Sequence, residues 1–210
     1  MVFARSFSKK RLSSLYLGRR KSCAEIADVF KCSQNKVVYW LNRYGIPKRS
    51  ISEAIYAKCN PGGDPFKIIK PRTIQEAKLF GLGLGLYWGE GTKSNRSSVR
   101  LGNTDPKLVK KFIEFLVRIY GIDKRKLKFG LQIFSDISPS VALRFWSKEL
   151  NVSRASFQKP VVTISGSLGT YRNKSEYGVL TIYYNNRKLR DIICSEVENI
   201  AKTCLDSSAG

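Results

Sequence analysis

Residues 73–94 read TIQEAKLFGLGLGLYWGEGTKS, and this stretch decides how the larger part of the chain folds. Thr73, followed three residues on by Glu76, makes a capping box and so marks a helix start. Leu79, Leu82 and Leu86 recur at helical spacing. Gly81, Gly85 and Gly89 recur every four residues and share one helix face. Each glycine inside a helix costs about 1 kcal/mol relative to alanine, so three on one face need a compensating gain. Bare backbone supplies one, because it lets a second helix approach closely. Glu90 follows at the C-terminal end, where the helix dipole disfavours a carboxylate by a few tenths to about 1 kcal/mol. A divalent cation would reverse that sign, which makes Glu90 a candidate metal ligand. The glycines fit other motifs less well. A dinucleotide-binding G-x-G-x-x-G follows a strand and opens a helix, and Gly91-Thr92-Lys93-Ser94 lacks the spacing of a phosphate loop.

Downstream the pattern alternates between strand and helix. Residues 92–103 suit one or two strands. Asp105-Pro106 is a cap with proline in the first turn. The helix it opens runs to Tyr120, with Leu108, Val109, Phe112, Leu116 and Ile119 inward and Gly121 beyond. Residues 126–134 alternate as a strand, 138–150 read as a helix, and 160–164 and 177–184 as strands. A last amphipathic helix spans 186–202 through Leu189, Ile192, Ile193, Val197 and Ile200. Upstream, residues 59–72 hold Pro61, Gly62, Gly63, Pro65 and Pro71 and read as a linker. The expected organisation is a module over 1–58, a linker over 59–72, a main domain over 73–202 and a flexible tail over 203–210.

In the first module, residues 9–17 form a helix that Gly18 ends. Ser22 caps a helix over 23–30 with Glu25 in its first turn. Lys31 and Cys32 make a tight turn, Ser33 caps a third helix over 34–44, and Gly45 stands where a left-handed cap is expected. Ile26, Ala27 and Phe30 face Val37, Trp40 and Leu41. This spacing resembles the helix-turn-helix family over roughly residues 8–49, with Lys31 in place of the customary turn glycine. The resemblance implies that the third helix enters the major groove. Gln34, Asn35 and Lys36 lead it, with Tyr39 and Arg43 further along. Gln and Asn suit adenine edges, while Lys and Arg suit guanine or phosphate. Arg19, Arg20, Lys21, Lys48 and Arg49 flank the module as backbone contacts.

Composition sets the class of partner. The chain has 210 residues, 38 Lys and Arg against 16 Asp and Glu, and a net charge of +22. Such an excess is best tolerated against a polyanion, and each cation near a phosphate releases counterions. Charge alone does not separate DNA from RNA. There is no histidine, which excludes Ser-His-Asp and Cys-His catalysis, a histidine general base and C2H2 zinc fingers. Hydrolysis would rest on carboxylates, lysines and a metal held by oxygen. None of the five cysteines forms a C-x-x-C pair, so zinc is weakly supported, and an odd count fits a reducing compartment. The longest apolar run, 79–89, is too short for a bilayer that needs about 20 residues. The basic start, residues 1–12, has no apolar core of signal-peptide length.

Residues 83–91, GLGLYWGEG, resemble the motif of the LAGLIDADG homing endonucleases. Gly85 and Gly89 fall on its small packing positions, Glu90 on its final acid and Gly91 on its closing glycine. Gly83, Leu84 and Trp88 depart from the pattern, and glutamate replaces aspartate at Glu90. The resemblance implies an α+β fold in which an antiparallel, saddle-shaped sheet lies over a DNA groove. With one motif copy, it implies a homodimer through Gly81, Gly85 and Gly89. Both Glu90 carboxylates would then bind magnesium, and Lys126, Lys128 or Lys159 would assist. Expected DNA contacts are Lys93, Asn95, Arg96, Arg100 and Gln132, together with Lys126 and Lys128. The expected activity is metal-dependent cleavage of double-stranded DNA at a pseudo-palindromic site. No membrane and no small-molecule cofactor is expected, and the expected location is the cytoplasm, near the nucleoid, or an organellar matrix. The alternative is a non-catalytic DNA-binding regulator with the same fold. A third reading, an RNA-binding maturase-like or structural protein, rests on charge alone.

Overall fold

The computed structural model describes residues 7–164 and 175–206, with side chains up to Lys202. The chain divides into two compact units, Met1–Pro65 and Phe66–Gly210. In the first, α1 (Lys9–Ser13) runs directly into a π-helical turn (Ser14–Gly18). Then come α2 (Cys23–Phe30), α3 (Gln34–Arg43) and α4 (Ile51–Cys59). Ser22 and Glu25 close a capping box on α2, and the Ser33 hydroxyl accepts from the Lys36 N–H at the start of α3. Leu12, Leu15, Ile26, Ala27, Val37 and Leu41 form the core, with Phe30 and Trp40 half-buried against it. Lys31 takes the left-handed conformation, φ 50°, where a glycine is customary. A β-carbon there costs about 1–2 kcal/mol. The tight turn survives because its backbone is bonded, Cys32 N–H to the Ala27 carbonyl at 2.9 Å. Helix α4 was not expected. Its own capping box, Ser50 with Glu53, carries the signal.

The second unit opens on an extended segment that belongs to the expected linker, residues 59–72. Phe66 joins its core, Lys67 N–H bonds the Tyr120 carbonyl at 2.9 Å and Ile69 N–H bonds Ile119 at 2.8 Å. Helix α5 (Ile74–Glu90) follows its Thr73–Glu76 capping box. Next come β1 (Val99–Asn103), α6 (Pro106–Tyr120), β2 (Lys128–Phe134), α7 (Pro139–Leu150), β3 (Val161–Thr163), β4 (Val179–Tyr184) and α8 (Arg187–Asp206). Asp105 caps α6, and Gly121 ends it at φ 55°. Helix α8 continues past the expected end at Lys202, and the rest of the anticipated tail, 207–210, lies outside the described residues.

The sheet order is β1-β4-β2-β3. β4 pairs antiparallel with β1 and β2, but β3 pairs parallel with β2, Gln132 opposite Val161. The fold is therefore α+β with a mixed sheet, which corrects the antiparallel expectation. The cause is α7. A helix between β2 and β3 returns the chain to its starting end, the crossover that a parallel pair requires. Val99, Leu101, Phe129, Leu131, Ile133, Leu180 and Ile182 point inward and join the buried faces of α5, α6, α7 and α8 in one core. The opposite face carries Arg100, Lys128, Gln132 and Tyr183, exposed or half-buried.

The glycines of α5 divide into two sets. A β-carbon at Gly83 would lie 2.1 Å from the Phe115 ring on α6, whereas Gly81, Gly85 and Gly89 have nothing within 4 Å. Gly83→Ala is expected to destabilise the second unit by about 3 kcal/mol, since overpacking against a fixed core ring admits little relief. Urea denaturation of the full chain would read this. Lys31→Gly is expected to stabilise the first unit by about 1 kcal/mol, raising its melting temperature in calorimetry.

Candidate nucleic-acid interface

Helix α5 hands the chain directly to the sheet. Gly91 N–H bonds the Tyr87 carbonyl at 2.9 Å, Gly91 bridges Leu101, and Thr92 N–H bonds the Arg100 carbonyl at 3.0 Å. A β-carbon on Gly91 would lie 2.3 Å from that same Tyr87 carbonyl, so this exit requires glycine. Glu90, the last residue of α5, is exposed, and its carboxylate makes no hydrogen bond or ion pair among the described residues. Lys93, expected on DNA, instead turns its ammonium back onto the Trp88 carbonyl, and Arg190 of α8 holds the Lys93 carbonyl. A cation near the last carbonyls offsets the dipole that disfavours Glu90. Beneath the helix end, the Tyr87 hydroxyl and Arg190 Nε are buried and meet no hydrogen-bond partner among the described residues. Burial pushes the Tyr87 phenol up to about 12, so it stays neutral.

Lys126, in a short turn before β2, Lys128 at the start of β2 and Lys159 before β3 are exposed, and none pairs with Glu90. No three Cys, Asp or Glu side chains cluster as a metal site among the described residues.

The open sheet face has a more organised centre. Strand register aligns Arg100, Tyr183 and Lys128 across β1, β4 and β2. The next row is Gly102, Thr181 and Gly130, and the one beyond it places Gln132 between Val179 and Val161. A β-carbon at Gly130 would lie 2.8 Å from the Tyr183 ring, so the ring lies down over bare backbone. The Arg100 guanidinium sits 5.1 Å from the centre of that ring. Its Nε donates to Ser98 Oγ at 2.8 Å, and Ser98 is fully buried. The Ser98 hydroxyl donates in turn to Asn95 Oδ1 at 3.1 Å. That oxygen also accepts the Ser97 and Ser98 N–H groups, so Asn95, expected on DNA, organises the loop with its carbonyl. Arg96 is exposed. Tyr183 was given no role from sequence; its signal is the alternation of Val179, Thr181 and Tyr183 against buried Leu180, Ile182 and Tyr184.

In the first unit, Gln34 and Asn35 are exposed at the start of α3. Lys36 lies over the Phe7 ring at 5.8 Å. Arg43 donates to the Tyr39 hydroxyl at 2.8 Å and covers the Trp40 ring, so these outward residues form one unit on the helix. Arg49 is structural. Its guanidinium bonds the Tyr16, Arg20 and Lys21 carbonyls and covers the Tyr16 ring. Arg20 pairs with Asp64 at 3.8 Å. A cavity of about 610 Å³ lies among Lys10, Arg11, Arg19, Lys21 and Ser14.

No family model matches the sequence, and no curated protein and no solved structure matches it. No helix among the described residues is long and apolar enough to cross a membrane.

Proposed function

We propose that the chain is a magnesium-dependent, site-specific endonuclease for double-stranded DNA, similar to the LAGLIDADG homing enzymes and acting as a homodimer. One observation carries this reading: α5 exposes Gly81, Gly85 and Gly89 beside Ile74 (71% exposed), Leu82 (47%) and Trp88 (51%), and ends in unpartnered Glu90. A bare, apolar helix face inside a folded unit asks for cover. A second copy of α5 supplies a matching face, and a two-fold contact brings both Glu90 carboxylates toward one axis. The donor chemistry fits, since a free carboxylate is the hard oxygen ligand that magnesium prefers. A cation held there supplies Lewis-acid activation of water. The chain's own part is to hold the duplex: Arg100, Lys128 and Gln132 on the open sheet, Arg96, Lys126 and Lys159 around it, and Gln34, Asn35, Lys36, Tyr39 and Arg43 on α3.

A second reading, a non-catalytic DNA-binding regulator, is favoured by the placement of Lys93. Its ammonium compensates the helix end without a metal. Cleavage of a plasmid library with magnesium separates the two. Glu90→Gln is expected to lower cutting about a hundredfold or more while binding is kept. Tight binding without cutting by the wild type, with magnesium or manganese, selects the regulator. Gly85→Leu is expected to convert a dimer to a monomer in sedimentation, because the side chain fills the bare face. A monomeric wild type, with and without DNA, sinks the shared site.

A further inference from the structure

We infer that Arg100 reads a base: its guanidinium is held ready on the open sheet face to take the paired O6 and N7 acceptors of a guanine. The inference rests on the DNA-binding reading above and adds the residue and the base.

Three constraints fix the group. Its Nε is bonded to a buried hydroxyl, Ser98 Oγ at 2.8 Å. That hydroxyl commits its own proton to Asn95 Oδ1, so it is oriented to accept from Arg100. The guanidinium carbon lies 5.1 Å from the centre of the Tyr183 ring, and Tyr183 is in turn laid down over Gly130. Among the described residues, nothing meets the two terminal nitrogens.

Among the described residues Arg72, Arg96, Arg144 and Arg154 also pair with no acid, but none of them is held through Nε; four others are taken by acids. Arg118 pairs with Glu114, Arg125 with Asp123, and Arg187 and Arg190 with Asp191. Arg100 is clamped like a structural arginine yet paired with no acid. With Nε occupied, what remains is the end-on pair of N–H donors in a fixed plane. A phosphate can also take a guanidinium through two bonds, but it offers oxygens in several directions and binds lysine as well. The guanine edge presents two adjacent acceptors in one plane and rewards a planar fork.

The test is selection of randomised duplexes by the full chain without divalent metal, comparing wild type, Arg100→Lys and Ser98→Ala. The wild type is expected to select sites with a guanine at one position of each half-site. Arg100→Lys keeps the charge and loses the fork, so preference for that guanine falls about tenfold or more while other positions and the salt dependence of binding stay unchanged. Ser98→Ala frees the same guanidinium and relaxes the same position by less. Uniform weakening by Arg100→Lys with every base preference kept makes Arg100 a phosphate contact and overturns the inference. Relaxation spread over all positions in both variants makes the cluster merely structural and overturns it too. A wild type that binds no duplex removes the DNA-binding reading itself, a failure visible before any variant is compared.

Discussion

The approach of α5 to α6 at Gly83 is the constraint on which the second unit depends. The Phe115 ring occupies the space a β-carbon would need, and Phe112 stacks on Tyr87 one turn further along α5, with ring centres 6.0 Å apart. These contacts orient the whole helix. With the Gly83, Leu84 and Tyr87 side turned inward, Gly81, Gly85 and Gly89 are forced outward, and the helix ends where Gly91 can lie beside β1. One packing contact therefore sets which glycines stand exposed and where Glu90 emerges relative to the sheet.

Much of this was legible in the sequence, because local signals and tertiary packing agree. The Thr73–Glu76 box, the Asp105-Pro106 start and the Ser33 cap each mark a helix that the structure contains. The alternation over β2 and β4 likewise gives their faces. The parallel course of β3 was not legible. Strand periodicity says which residues share a face but nothing about direction, and direction came from α7 acting as a crossover. Helix α4 was not legible although Ser50 and Glu53 repeat the same capping chemistry, because Ile51 and Ile55 stand exposed and no apolar stripe marks a buried face.

At the site, sequence gave residue types but not their engagements. Lys93, Asn95 and Arg100 look equivalent as polar residues near early strands. In the structure Lys93 closes a helix end, Asn95 organises a loop, and Arg100 is held in place and left unpaired. The difference lies in contacts to the Trp88 carbonyl and to Tyr183, neither of which a one-dimensional pattern encodes.

The same logic of engagement bears on Glu90. Among the described residues Asp28, Glu196 and Glu198, like Glu90, make no ion pair or side-chain hydrogen bond, while other carboxylates are engaged. Glu25, Glu53 and Glu76 accept backbone N–H groups at helix starts, and those hydrogen bonds hold their carboxyls below the ordinary range. Their caps are therefore intact at neutral pH and weaken as acid protonates them below the usual carboxylate value. Glu114, Asp123 and Glu149 are taken by arginine or lysine. Glu90 has no such role, although Lys93 lies three residues away and prefers the Trp88 carbonyl. Glu90 differs from the other free carboxylates by its place, at the end of a helix whose exposed side carries Gly81, Gly85 and Gly89 beside Ile74, Leu82 and Trp88.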